Sequence, residues 1–148
     1  MSNNFQRTGS VSNAHVGAAF EQLAMQVLAQ KGINVVPNYS VDVGVGNLKK
    51  PHKFDLGSDS VLVECKSHKW TSGNNVPSAK LTVWNEAMFY FKCSPDSFRK
   101  IFFVLKDIRQ KGNETLAQYY IRRYSHLIPS KVEIWEYNET NGVVEIYN

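Results

Sequence analysis

Apolar positions recur at helical spacing through residues 15–32. Val16, Ala19 with Phe20, Leu23 with Ala24, and Val27 with Leu28 form one stripe, and Lys31-Gly32 reads as its stop. Ser12 or Asn13 can cap the start. Ahead of it, residues 1–12 are rich in Ser and Asn and are expected to form a loose arm, leaving a single domain over 13–148. The pattern then shortens to period two. Val41, Val43 and Val45 alternate with polar positions as in a strand, with Pro37 upstream implying an edge or a bulge. Residues 47–53 read as a basic loop. Val61, Val63 and Cys65 alternate with Leu62, Glu64 and Lys66, which predicts the outgoing strand of a central hairpin, the third strand of the chain, after a turn at Gly57-Ser58-Asp59-Ser60.

Residues 68–77 form an irregular polar loop. Ser78 is then the expected N-cap of a helix from Ala79 to about Cys93, apolar on most sides, whose Trp84, Phe89, Tyr90 and Phe91 read as core. Ser94-Pro95-Asp96 ends it. The near-continuous apolar run Ile101–Leu105, with charged ends, is the pattern of a strand buried on both faces in mid-sheet. A helix over 113–127, ended by Pro129, and a terminal hairpin turning at Asn141-Gly142 complete the chain. The order is helix, three strands, helix, strand, helix and strand pair. That is a mixed sheet with packed helices, in the α/β or α+β class.

Composition changes this picture little. A chain of 148 residues, 43% hydrophobic and 20% charged, can bury one core, and a net charge of +4 is compatible with a polyanionic partner without requiring one. Two cysteines make neither a disulfide framework nor a zinc site, so free thiols in a reducing compartment are expected. The first fifteen residues lack an apolar signal core, and no run approaches the ~20 apolar residues of a membrane span. A soluble, cytoplasmic protein with no membrane partner is expected.

Candidate chemistry concentrates in one stretch. A strand sets Glu64 and Lys66 on one face, about 6.6 Å apart along the chain. The turn before it can fold Asp55 back beside Glu64. Two carboxylates and an ammonium at one end of a sheet can hold a hard divalent cation and set a lysine beside an attacking water. A surface strand with an ordinary Glu/Lys alternation has the same sequence. Glu21, at the edge of the first helical stripe, reads by itself as a solvated carboxylate.

Taken together these features resemble the PD-(D/E)XK nuclease superfamily, the restriction-endonuclease-like fold. Asp55 matches its first acid, with Phe54 in place of the usual Pro. Glu64-Cys65-Lys66 matches E-X-K, and Glu21, within Gly17-Ala18-Ala19-Phe20-Glu21, matches the upstream helical carboxylate. The likeness covers residues 13–107. The final helix and hairpin stand as an extension to an αβββαβ core. The resemblance implies a Mg²⁺-dependent endonuclease hydrolysing DNA phosphodiester bonds, of restriction, repair or junction-resolving type, with Mn²⁺ as a substitute ion. It makes Asp55, Glu64 and the Cys65 carbonyl metal ligands. Lys66 becomes the stabiliser of hydroxide and phosphorane charge, and Glu21 a residue that orients water or completes a second metal site. DNA contacts are expected from His15, from Lys49, Lys50, His52 and Lys53, and from His68, Lys69 and Trp70. A homodimer is expected because cutting a duplex takes two sites. A non-catalytic nucleic-acid-binding module of the same fold is the alternative.

Overall fold

The computed structural model describes residues 2–148, with side chains described from His15 onward. Helix α1 runs Ser2–Gln30, so the arm expected over 1–12 and the Ser12 or Asn13 cap fall on side chains outside the described residues. Strands β1 (Val36–Val43), β2 (Lys50–Gly57) and β3 (Val61–Lys66) follow, then α2 (Ser78–Cys93), β4 (Arg99–Leu105) and α3 (Leu116–Tyr124). A 3₁₀ turn at Ser125–Leu127 leads to β5 (Val132–Tyr137) and β6 (Val144–Tyr147). The six strands lie in one mixed sheet in sequence order. The β1–β2, β2–β3 and β5–β6 pairs are antiparallel, whereas β3–β4 and β4–β5 are parallel.

The parallel pairs explain the layers, because each needs a crossover that lays a helix on the sheet. Helices α2 and α3 cover one face, burying Leu81, Trp84, Phe91 and Tyr120 against Phe54, Leu62, Phe102 and Ile134. Helix α1 covers the other, burying Phe20, Ala24, Val27 and Leu28 against Leu56, Val63, Cys65, Ile101 and Phe103. With both faces covered, β4 is buried and apolar from Ile101 to Leu105, as its hydrophobic run requires, and its charges stand at the start, Arg99 and Lys100. The end of α1 is equally local in origin. Gly32 sits at φ +80°, and bonds from Gly32 N–H to Ala29 O and Ile33 N–H to Leu28 O close a Schellman motif.

Four expectations are corrected. Residues 50–53 are strand, not loop: they pair with β1 alone, ahead of the point where β3 joins β2, so main-chain bonds hold them in the sheet without an apolar alternation. Val45 lies beyond the end of β1 and is exposed. The N-cap of α2 is Pro77, and Ser78 makes no capping bond. Phe89 is 58% exposed and Val83 is also outside the core, so the aromatic run of α2 is buried on only one side. No described helix is long and apolar enough to cross a membrane.

Candidate active site

The short turn Ser58–Ser60 brings β3 back along β2, with the Ser58 hydroxyl accepting bonds from the Ser60 and Val61 N–H groups. Backbone pairing of β2 with β3 covers only Gly57↔Leu62 and Leu56↔Val63. One step further the strands separate, and that step places Asp55 opposite Glu64. The side chains fill the gap: Cys65 N–H donates to Asp55 Oδ2 at 2.8 Å, and Asp55 N–H donates to Glu64 Oε1 at 3.2 Å. Each carboxylate thus accepts a proton that a continued ladder would have used, so the backbone is satisfied where the sheet opens.

The neighbouring geometry sustains that opening. Phe54 packs against the α2/α3 side of the sheet and Leu56 against α1, so the alternation of β2 breaks at Asp55. Across β1, the residue skipped in the pairing is Asn38, at φ +56°. Helix α1 then contributes Glu21, whose carboxyl lies close enough to Asp55 to feel its charge. Lys66, at the end of β3, is half-buried and lies close enough to weigh on Glu21, Glu64 and His68.

The electrostatics follow from burial. Glu64 is 6% exposed, and desolvation, reinforced by the Asp55 charge, pushes its carboxyl up to about 8 despite Lys66. Glu21 is also raised, first by desolvation and then by Asp55. Burial holds the Cys65 thiol well above its usual range, so Cys65 is a core side chain facing α1 and only its main chain can serve the site. Asp55, Glu64 and Glu21 outnumber the one ammonium of Lys66, and a hard dication would favour the ionised forms that burial disfavours. The donor set therefore fits Mg²⁺ by charge and chemistry. Among the described residues no three His, Cys, Asp or Glu side chains already converge as a metal cage.

The residues expected to contact DNA divide into groups. His15, Lys50 and Lys53 are exposed, and Lys49 is exposed with its ammonium bonded to Gly44 O at 3.0 Å. Lys69 is exposed and faces Glu139 at 3.9 Å. His52 is not on a loop. It sits in β2 with its ring stacked on Tyr90 and its Nε2 3.8 Å from Glu64 Oε1, and burial lowers its pKa. His68 accepts a 2.8 Å bond at Nδ1 from Trp84 Nε1–H. Burial, then Lys80 and Lys66, push its pKa down to about 4, so it is neutral near pH 7 and brings no cation to a phosphate. Trp70 is buried: its Nε1–H donates to Asp107 O, its N–H to Asp107 Oδ2, and the Arg109 guanidinium lies 4.5 Å over its ring. It anchors the 68–77 loop to the end of β4 and offers no face to a base.

A cleft of about 480 Å³ opens beside this cluster, lined by Gly17 of α1, Lys66 at the end of β3, Ser67, His68 and Lys69 after it, and Lys80 of α2. In the sequence Lys80 draws no notice, and Tyr90 reads as core alone, not as a neighbour of the site. Lys80 carries one weak signal, its place in the first turn of the helix after the polar loop. Tyr90 carries none, since only the packing of α2 brings it to His52. Comparison with protein-family models, curated proteins and solved structures finds no match to this chain.

Proposed function

We propose that the chain is a Mg²⁺-dependent deoxyribonuclease of the restriction-endonuclease-like fold, cutting DNA phosphodiester bonds at the opening between β2 and β3. The observation that carries the reading is the parting of these strands at Asp55 and Glu64, with Glu21 and Lys66 gathered on the same spot. A surface strand with decorative Glu/Lys alternation has no reason to bury Glu64 among like charges, which is costly unless the site has a use for them. Asp55, Glu64 and the Cys65 carbonyl would hold the ion. When bound, Mg²⁺ supplies Lewis-acid polarisation of a phosphate oxygen and acidifies a nearby water. Lys66 offers its ammonium to the charge that grows on the phosphorus oxygens. Glu21 orients the attacking water or takes its proton. The lysines along the adjacent cleft suit the flanking phosphates, which makes affinity fall with salt. Two such sites, in a homodimer, serve the two strands of a duplex.

One observation favours a second reading. Asp55 and Glu64 each close a main-chain bond, which a non-catalytic DNA-binding module could keep for structure alone. Incubation with plasmid and branched DNA in Mg²⁺, followed by end mapping, separates the two. Cleavage by the wild type that is lost in Lys66→Ala and Asp55→Ala supports the enzyme. Cleavage that survives both substitutions removes the site assignment, and salt-sensitive binding with no cleavage leaves the binding module.

A further inference from the structure

His52 is placed in a way that the proposed chemistry does not by itself require. Its cross-strand partner on β1 is Val41, and its ring is held from two sides. Tyr90 of α2 stacks on it with centroids 3.6 Å apart and planes 10° apart. Phe54 meets it edge-on at 4.7 Å and 89°. Within that grip, Nε2 is buried and has no hydrogen-bond partner among the described residues, which is costly for a polar atom. The carboxylate oxygen in front of it, Glu64 Oε1, is 3.8 Å away and accepts a 3.2 Å hydrogen bond from Asp55 N–H. A shift of about 1 Å in the Glu64 carboxylate would bring the two atoms to an ordinary hydrogen-bond distance. Glu64 is buried, so few other groups compete for its oxygens.

We infer that His52 is a positioning residue for Glu64: its Nε2–H, held in plane by Tyr90 and Phe54, aims the Glu64 carboxylate into the opening between β2 and β3. The role resembles that of outer partners which orient a ligand without touching the reacting atoms. The inference rests on the nuclease reading for its purpose, though not for its geometry. Tyr90 enters as the wall that gives the imidazole its orientation, and this assigns α2 a direct part in shaping a site otherwise built from α1, β2 and β3.

The contact is tested first in the metal-free chain. Long-range ¹⁵N–¹H spectra at pH 9, where Glu64 is a pure acceptor, should show His52 as the Nε2–H tautomer, with a proton shift that moves in Glu64→Gln. A bare Nε2, or a proton indifferent to Glu64→Gln, overturns the inference. The second arm titrates Mn²⁺ calorimetrically. His52→Phe keeps a flat ring against Tyr90 but lacks the donor, and should weaken Mn²⁺ binding about tenfold or more. His52→Gln, whose amide nitrogen reaches as far as Nε2, should recover most of that loss. Wild-type affinity in His52→Phe overturns the positioning role. If the wild type neither binds Mn²⁺ nor cuts DNA, the nuclease reading fails on its own, and the spectra of the unmodified chain still decide whether His52 holds Glu64.

Discussion

Replacing Glu64 with Gln should stabilise the protein in alkaline solution while removing its ionisable carboxyl. Glu64 is buried beside Asp55 and Glu21, and its pKa is raised from an ordinary 4.5 to about 8. A raised carboxyl pKa means that the folded state binds more protons than the unfolded one between these values, so its contribution is present in full below pH 4.5 and is lost as pH rises through 8. At about 1.4 kcal/mol per pH unit, the upper limit of that loss is about 5 kcal/mol. Partial hydration of the ionised carboxylate brings the expected difference to about 2–4 kcal/mol. Gln keeps an oxygen for the Asp55 N–H, so the main-chain bond survives. Urea unfolding of both proteins, metal-free, at pH 5 and pH 9 measures the effect. Glu64→Gln should nearly match the wild type at pH 5 and exceed it by that amount at pH 9. A difference that does not change with pH, or a variant less stable than the wild type at pH 9, would refute the assignment of Glu64 as a desolvated acid among like charges.

Three further outcomes follow from individual side chains. Trp70→Ala should cost about 3–5 kcal/mol in chemical denaturation, as expected for a buried indole, because Trp70 is anchored to Asp107 and capped by Arg109; a small stability loss accompanied by weaker DNA binding would instead return it to the surface. Gly57→Ala should destabilise by about 1–3 kcal/mol through overpacking, since its Cβ would fall 2.7 Å from Tyr39 Cβ, and a double-mutant cycle with Tyr39→Gly should recover part of that cost. His68 is held neutral down to about pH 4, so the folded state binds fewer protons than the unfolded one from there to 6.5, and stability falls as pH drops through that window. His68→Asn keeps an oxygen near the Nδ1 position for the Trp84 indole and should flatten that acid limb in thermal melts; an unchanged limb excludes His68 as its source.

Several elements were legible in the sequence because their signals are local. The α1 stripe with its Gly32 stop, the alternation of β3, the unbroken apolar run of β4 and the turn at Gly142 depend on neighbours within a few residues, and all four appear in the fold. The proximity of Asp55 and Glu64 was equally accessible, since the short turn and the period of two leave little choice of register. The start of β2 was not. A strand in an outer hairpin needs no apolar face, so Lys50–Lys53 carries the composition of a loop while pairing with Asp42, Val41 and their neighbours.

The chain's own pattern therefore determined the elements, their order and the acids and lysine of one hairpin. Only the tertiary structure decided what surrounds them. Whether Trp70 is buried or Phe89 exposed depends on what the far end of β4 and the outer side of α2 meet, and no periodicity carries that information. The same holds for the candidate site. The β2–β3 stretch supplies Asp55, Glu64 and Lys66, but Glu21 comes to them because α1 crosses one face of the sheet, and Tyr90 comes to His52 because α2 crosses the other. Burial then acts on the groups already in place: desolvation raises Glu64 and lowers His68, so both are biased toward their neutral forms by packing that no local pattern encodes.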